Sequence, residues 1–287
     1  MDAAELLKRV RKIEIKTRHL SRHIFAGEYH SAFKGRGIAF SEVREYQYGD
    51  DIRTIDWNVT ARFNHPYVKV FEEERELTVM LLIDVSGSRN FGSRVMLKRD
   101  LITEVAAVLA FSAIQNNDKV GVIFFSDRVE KFIPPKKNRK HILHIIRELL
   151  EFQPESENTD FAEPLRYLTN AIKKRSIAFV ISDFIGDPFR DSLRIASNKH
   201  DIVALQIFDK REREIPQVGL LKLRDAETGE ERWVDTASKP VHEQFESWWK
   251  NHDHRLEETF LLTGVDNVRL STDEDYIKPL VQLFKKR

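Results

Sequence analysis

The stretch from Leu77 to Ser88 reads LTVMLLIDVSGS, an apolar run that ends in one aspartate and two serines. Similar runs, rich in β-branched and aromatic residues, recur along the chain at Val120 to Phe125, Ile177 to Ile181 and Ile202 to Phe208. Strands that are buried on both faces have this character, because helices cover both sides of a parallel sheet. The runs are therefore predicted to be the core strands of the protein.

Helical stretches separate these runs. They are expected over the ranges Arg94 to Asn116, Arg139 to Phe152, Phe161 to Lys174 and Phe189 to Asn198. Regular alternation of strand and helix is typical of α/β proteins with crossover connections. The predicted fold class is therefore α/β, with a doubly wound, mainly parallel sheet.

Two pairs of short segments depart from this alternation. Val129 to Ile133 follows the second core run after a very short turn, which predicts a hairpin with an antiparallel edge strand. Leu220 to Arg224 and Arg232 to Asp235 flank a polar turn at Glu227 to Glu230, so a second hairpin is expected after the fourth core strand. The chain is then predicted to close with a helix, a strand and a helix at Val241 to Leu262, Val268 to Ser271 and Asp273 to Phe284.

The residues before Leu77 have a different texture. Apolar side chains recur at three- and four-residue steps and predict a helix with basic outer faces, at Leu6, Val10, Ile13, Thr17, Leu20 and Ile24. A strand at Ile38 to Tyr46, a helical turn at Ile52 to Arg62 and a strand at Tyr67 to Phe71 are expected to follow. We predict two domains, an α+β segment over residues 1–76 and the α/β domain over residues 77–287.

Composition excludes several classes of protein. The 287 residues include 47 Lys and Arg against 46 Asp and Glu, a net charge of +1, so no overall field attracts nucleic acid or an anionic membrane. The absence of cysteine excludes disulfides, thiolate zinc sites and cysteine nucleophiles. The sequence shows neither a signal peptide nor an apolar stretch of membrane-spanning length, so we expect a cytoplasmic protein without a membrane span.

Oxygen-bearing side chains follow the core strands where ligands of open parallel sheets bind. Asp84, Ser86 and Ser88 alternate along an extended segment, which places all three side chains on one side. Asp183 follows the third run at the same edge, and Thr159 lies in a polar loop before a helix. Two carboxylates and three hydroxyls form an all-oxygen set of the kind that Mg²⁺ prefers, or Mn²⁺ in its place.

Such a donor set leaves the ion reactive towards a further anionic oxygen. Two carboxylates neutralise a divalent ion only formally, and less so if either acts through water. An open position beside a helix N-terminus favours a carboxylate from another molecule. The sequence therefore predicts a metal-bridged binding site for an acidic side chain of a protein partner.

The pattern Asp84-x-Ser86-x-Ser88 with distant Thr159 and Asp183 resembles the metal-ion-dependent adhesion site of von Willebrand factor A (VWA) domains. In that family the serines and threonine coordinate Mg²⁺, the aspartates bind it directly or through water, and a partner's acid fills the open position. The resemblance covers Leu77 to about Phe284. Asn158 and Phe184 stand where that family often has glycine.

The segment Tyr46 to Trp57, with Ala61-Arg62 and a strand ending in Phe71-Glu72, makes the resemblance more specific. Together with Leu77 to Ser88 it is similar to the bacterial family called domain of unknown function fifty-eight. That family is typically encoded beside MoxR-type AAA+ ATPases. The resemblance implies a role with such an ATPase, or with its client, in the assembly or maturation of other proteins.

The predicted function is a non-enzymatic, metal-dependent protein-binding module with no catalytic residue. One alternative is a Mg²⁺-dependent phosphotransferase that uses Asp84 as nucleophile. Enzymes resembling haloacid dehalogenases need an acid two residues later, where this chain has Ser86. The other alternative is a structural scaffold whose metal site stays empty.

Overall fold

The computed structural model describes residues 3–20, 38–73, 76–92 and 96–287. In this part of the chain the strands are β1 (Ile38–Glu45), β2 (Tyr67–Glu73), β3 (Thr78–Asp84), β4 (Lys119–Phe125), β5 (Val129–Lys136), β6 (Ile177–Ser182), β7 (Asp201–Phe208), β8 (Leu220–Arg224), β9 (Glu231–Asp235) and β10 (Asp266–Ser271). The α-helices are α1 (Ala3–Leu20), α2 (Trp57–Phe63), α3 (Lys98–Gln115), α4 (Arg139–Glu151), α5 (Ala162–Ala171), α6 (Arg190–Lys199), α7 (Lys239–Thr263) and α8 (Ile277–Lys286). Ile24, which we expected on the first helix, lies outside the described residues.

The central sheet has six strands in the order β10-β7-β6-β3-β4-β5. Every neighbouring pair is parallel except β4 and β5, which form the predicted antiparallel hairpin. The α/β class and the doubly wound, mainly parallel sheet are confirmed. β3 lies in the middle, and the side chains from Val79 to Ile83 are fully buried.

The sheet is covered on both faces, which explains the unbroken apolar runs. Met80 and Leu82 of β3 face a core shared with α5, α6 and α7, where Leu165, Leu193 and Phe260 are buried. α3 packs against β3 and β4 and is itself covered by α1 and α4. Because α3 is enclosed by the sheet and two helices, it is apolar on nearly all sides.

The chain divides into two compact units, residues 34–77 and residues 1–33 together with 78–287. α1 belongs to the larger unit, whereas the sequence grouped it with the segment up to residue 76. Ion pairs join α1 to α3 and α4, with Arg9 Nη2 2.7 Å from Asp100 Oδ1 and Arg139 bound to Glu14. The apolar stripe of α1 is thus the inner face of a helix of the larger unit.

The smaller unit is an antiparallel ribbon with one short helix. β1 pairs with β2, and α2 lies in the connection between them. The Asp56 carboxylate caps α2 by accepting hydrogen bonds from the amides of Asn58 and Val59. Arg44 holds both oxygens of Asp50 at 2.7 and 2.8 Å, which fixes the loop that follows β1.

Among the helices of the described ranges, none is both long and apolar enough to cross a membrane.

Candidate metal site

The candidate site lies between the carboxyl ends of β3 and β6. These strands are neighbours, but the chain continues from β3 to β4 on one side and from β6 to β7 on the other. A crevice forms where the strand order reverses in this way, and ligands of open α/β sheets bind there. Asp84 ends β3 and Asp183 directly follows β6, and the two residues are only 3% and 7% exposed.

The Asp84 carboxylate is held by both strand ends. Its Oδ1 accepts a hydrogen bond from the Ser86 amide at 2.9 Å, and its Oδ2 accepts one from the Ser182 hydroxyl at 2.5 Å. Ser86 precedes a 3₁₀ turn, and its Oγ lies 3.4 Å from Ser88 Oγ. The predicted Asp-x-Ser-x-Ser loop therefore gathers its three oxygen-bearing side chains at one point.

Asp183 joins this group through two partners. The Ser88 side chain is near enough to lower the pKa of Asp183, and Asp183 Oδ2 accepts a hydrogen bond from Lys98 Nζ at 2.9 Å. Lys98 lies in the first turn of α3, is 1% exposed and also binds Glu212. The four candidate ligands at the strand ends thus form one cluster with a buried ammonium beside it.

Thr159 lies on a loop that is fastened at several points. The Glu130 carboxylate accepts hydrogen bonds from the backbone amides of Glu155 and Ser156. The Gly87 amide donates to the Glu157 carbonyl at 3.0 Å, which joins this loop to the Ser86–Ser88 turn. The Thr159 hydroxyl itself donates to Glu227 Oε1 at 2.7 Å. Its partner is therefore a carboxylate of the β8–β9 hairpin.

The electrostatics of the cluster are those of an incompletely neutralised site. Burial and the charge of Asp183 raise the pKa of Asp84 to about 6. Burial acts to raise the pKa of Asp183 as well, but the Lys98 ammonium outweighs it and lowers that pKa. The Lys98 ammonium pairs with two of the three carboxylates, those of Asp183 and Glu212, and the Arg89 guanidinium acts electrostatically on the third, that of Asp84. Further positive charge would stabilise the ionised form of Asp84.

The donors fit a small, hard divalent cation. The side chains of Asp84, Asp183, Ser86, Ser88 and Thr159 offer oxygen only, which suits Mg²⁺ or Mn²⁺. Across the described ranges, no group of three or more His, Cys, Asp or Glu side chains is placed to hold a metal ion. The fit therefore depends on the hydroxyls as much as on the two carboxylates.

One known protein family matches most of the chain. The family described as "Protein of unknown function DUF58" matches residues 42–255. The chain belongs to the DUF58 family. The match spans both compact units, so it includes the β1–β2 ribbon as well as the crevice.

The relatives of this DUF58 protein are similar over different lengths. The uncharacterized protein Rv1480 of Mycobacterium tuberculosis (strain ATCC 25618 / H37Rv) is 29% identical over 292 residues, which cover 100% of this chain and 91% of Rv1480. The uncharacterized protein YeaD of Bacillus subtilis (strain 168) is 26% identical over 138 residues, which cover 48% of this chain and 31% of YeaD. These relatives support the family and leave its activity open.

Solved structures are similar at lower identity. BatB, a conserved hypothetical protein from Bacteroides thetaiotaomicron, is 15% identical with a TM-score of 0.47, covering 73% of this chain and 98% of BatB. The VWA domain of SpRpn10 is 13% identical with a TM-score of 0.38, covering 74% of this chain and 95% of that domain. Proximal thread matrix protein 1 of the mussel byssus, described with a zinc-occupied MIDAS motif, is 18% identical with a TM-score of 0.37, covering 46% of this chain and 38% of that protein.

Phe184 shows how this DUF58 protein shapes the position directly after Asp183 without glycine. Its φ is 59°, in the left-handed region that glycine adopts at little cost and that other residues avoid. The ring is 3% exposed and packs against Phe161, Phe189 and Phe260 at centroid distances of 5.5, 5.9 and 5.4 Å. Aromatic packing therefore offsets the backbone strain next to Asp183.

Four residues of the site in this DUF58 protein were not identified from the sequence. They are Lys98, Ser182, Glu212 and Glu227. Ser182 stands directly before Asp183 at a strand end, which is a usable signal. Lys98 lies in Lys98-Arg99-Asp100, a pattern typical of an exposed helix start, and the two glutamates belong to polar turns. Only the tertiary fold places these three at the crevice.

Proposed function

We propose that the protein is a non-enzymatic, metal-dependent protein-binding module. Its metal ligands are Asp84, Ser86, Ser88, Thr159 and Asp183, its ion is Mg²⁺ with Mn²⁺ as a substitute, and its partner donates an acidic side chain. The observation that supports this proposal is the pair of buried carboxylates at the strand-order reversal, which interact with each other and adjoin two serine hydroxyls. The predicted cytoplasmic location stays a prediction.

The side chains of the crevice would have different roles in binding the metal ion and the partner. Asp84 and Asp183 provide charge, and Ser86 and Ser88 provide neutral oxygens that leave the ion incompletely neutralised. Lys98 fixes the position of Asp183 through a buried ion pair. A bound metal ion would supply a positive centre for a carboxylate from outside the site. Partner recognition then depends on an acidic residue and on the surface around it.

By resemblance to the family, the proposed partner is a MoxR-type AAA+ ATPase or its client. In such a complex the ATPase would supply the energy for assembly, and the non-enzymatic module would recognise the other protein. The phosphotransferase alternative needs a general acid where Ser86 stands, and Ser86 is not an acid.

The Lys98 ion pair favours the other alternative, a scaffold without metal. The ammonium already compensates part of the charge that a metal ion would neutralise. In a scaffold this compensation would be sufficient, and the crevice would only stabilise the fold. Metal binding separates the two functions directly.

The test is a calorimetric titration of the full-length protein with Mg²⁺ and then Mn²⁺. We expect one ion to bind to the wild type and no binding to Asp84→Ala/Ser86→Ala. Asp191→Ala is the control, because Asp191 is an exposed carboxylate of α6 that pairs with Arg194. Binding of a MoxR-type ATPase should then depend on the metal and be lost with chelator. Partner binding that ignores chelator would favour the scaffold, and phosphoester turnover abolished by Asp84→Ala would favour the phosphotransferase.

A further inference from the structure

The β8–β9 hairpin rests directly on the Ser86–Ser88 turn. A Cβ atom added at Gly87 would lie 2.1 Å from the carbonyl oxygen of Ala226, in the turn of the hairpin. This distance is far inside van der Waals contact, so only glycine allows the hairpin to approach so closely. Close contact with the hairpin therefore explains why glycine stands at position 87.

The hairpin turn is built to hold one side chain in place. The Asp225 carboxylate accepts hydrogen bonds from the amides of Glu227 and Thr228 at 3.0 and 2.8 Å. The Gly229 amide donates to the Asp225 carbonyl, and Gly229 has a φ of 70° that closes the turn. Glu227 thus projects from an ordered turn, and its carboxylate is half-buried against Thr159.

The charged groups around Glu227 do not stabilise its carboxylate at this position. Asp183, Asp225 and Asp187 all act on its carboxylate with the same sign, and the Thr159 hydroxyl is a neutral donor. A carboxylate aimed at an already acidic crevice is unfavourable unless a cation lies between them. The arrangement is the one that a metal-bound acid would need.

We infer that the β8–β9 hairpin is an internal ligand of the site, in which Glu227 occupies the place of the partner's acidic side chain. This inference rests on the proposed function, and it adds a competition to it. A partner gains access to the ion only when the hairpin turn leaves the crevice. The site therefore selects partners whose acidic group and surrounding contacts replace those of Glu227.

The structure of the β8–β9 hairpin allows it to move away from the crevice as one unit. Among the residues that the structure describes, β8 and β9 pair only with each other, outside the six-stranded sheet, and most of their side chains are exposed. The base is held by Thr236, which is fully buried and whose hydroxyl donates to the Gly219 carbonyl at 2.7 Å. An exposed hairpin that is anchored at its base and held lightly at its tip is typical of segments that open locally.

The test compares Glu227→Gln with Glu230→Gln in the full-length protein. Glu230 belongs to the same turn, but it is exposed and pairs with Arg232. Hydrogen exchange of residues 225–230 is measured first without metal and then with MnCl₂, and Mn²⁺ affinity is measured by calorimetry. We expect MnCl₂ to slow exchange of the wild-type turn, and we expect Glu227→Gln to lose this protection and to bind Mn²⁺ more weakly, each by about tenfold, the usual effect of one charge-assisted contact. Glu230→Gln should change neither.

The outcomes separate this inference from the proposed function. Equal exchange and equal Mn²⁺ affinity in the two variants would overturn the inference, while Mn²⁺ binding that requires Asp84 would leave the proposed function intact. Failure of the wild type to bind Mn²⁺ would reject both the metal-dependent function and the role of Glu227 as a metal ligand. Gly87→Ala provides a second variant, because the added methyl group must displace Ala226. Unchanged exchange of the turn in this variant would also contradict the inference.

Discussion

Two buried polar groups at opposite ends of the central sheet differ in charge. At the carboxyl end, Asp84, Asp183 and Lys98 are buried as charges. At the amino end, Ser176 and His200 precede β6 and β7, and their side chains meet at 2.9 Å as a buried pair. Burial lowers the pKa of His200 to about 4, so this histidine is neutral at physiological pH. Neutral, paired groups of this kind stabilise a fold, whereas buried charge of the kind found at the carboxyl end is typical of functional sites.

The largest effect is expected at the charged end. Lys98→Met leaves the Asp183 carboxylate without its buried counter-charge, and breaking such a pair destabilises a protein by about 3–5 kcal/mol. Urea denaturation at neutral pH measures the change in the free energy of unfolding. Lys210→Met is the control, because Lys210 forms an exposed ion pair with Glu274. Equal losses in the two variants would show that Lys98 is not essential to the charged end.

Phe184 offers a sharper test of the same end. Phe184→Ala removes a buried ring and should cost about 3–5 kcal/mol. Phe184→Gly removes the ring as well but relieves the left-handed backbone, so it should be less destabilising than alanine by about 1 kcal/mol. At most buried positions glycine is the worse substitute, so the order of the two variants in thermal denaturation is diagnostic. Glycine worse than alanine would mean that the backbone at Phe184 is not strained.

The effect expected at the neutral end is small at neutral pH and grows as the pH falls. Because the native state holds His200 neutral, the unfolded chain takes up the proton first as pH falls below about 6.5. Stability from this group is therefore lost between pH 6.5 and about 4, by about 1.4 kcal/mol for each pH unit. His200→Asn keeps a hydrogen-bond acceptor for Ser176 and should flatten the pH dependence of the free energy of unfolding.

His144→Asn is the control for that measurement, since His144 is exposed on α4. The control should keep the wild-type slope between pH 6.5 and 4. If both variants keep the wild-type slope, the neutral state of His200 does not contribute to the stability of the protein.

The sequence predicted the parts of the protein that follow periodicity. The core strands, the β4–β5 hairpin and the crossover helices were predicted because burial on both faces leaves long apolar runs. Asp84, Ser86, Ser88 and Asp183 were found because the carboxyl ends of parallel strands meet at one edge, and the structure joins their side chains in one cluster. Their role as metal ligands stays a prediction.

The remainder depends on contacts between segments that are distant along the chain. Lys98 looks like an exposed helix residue until α3 is placed against the Asp183 loop, 85 residues away. Glu227 looks like any polar turn residue until the hairpin is laid over Gly87. The sequence around Lys98 and around Glu227 contains no pattern that predicts either contact. The grouping of α1 likewise depends on its packing against α3 and α4, which residues 1–20 alone do not reveal.

That grouping has a practical consequence for dissecting the molecule. Residues 34–77 interrupt a unit whose first helix precedes them and whose sheet follows them, so the ribbon is an insertion in the order of the polypeptide. A fragment cut at Leu77 would strip α1 from its neighbours and open the apolar surface of α3 to water. Excision of the ribbon with a short linker in its place would instead retain every helix that shields the sheet.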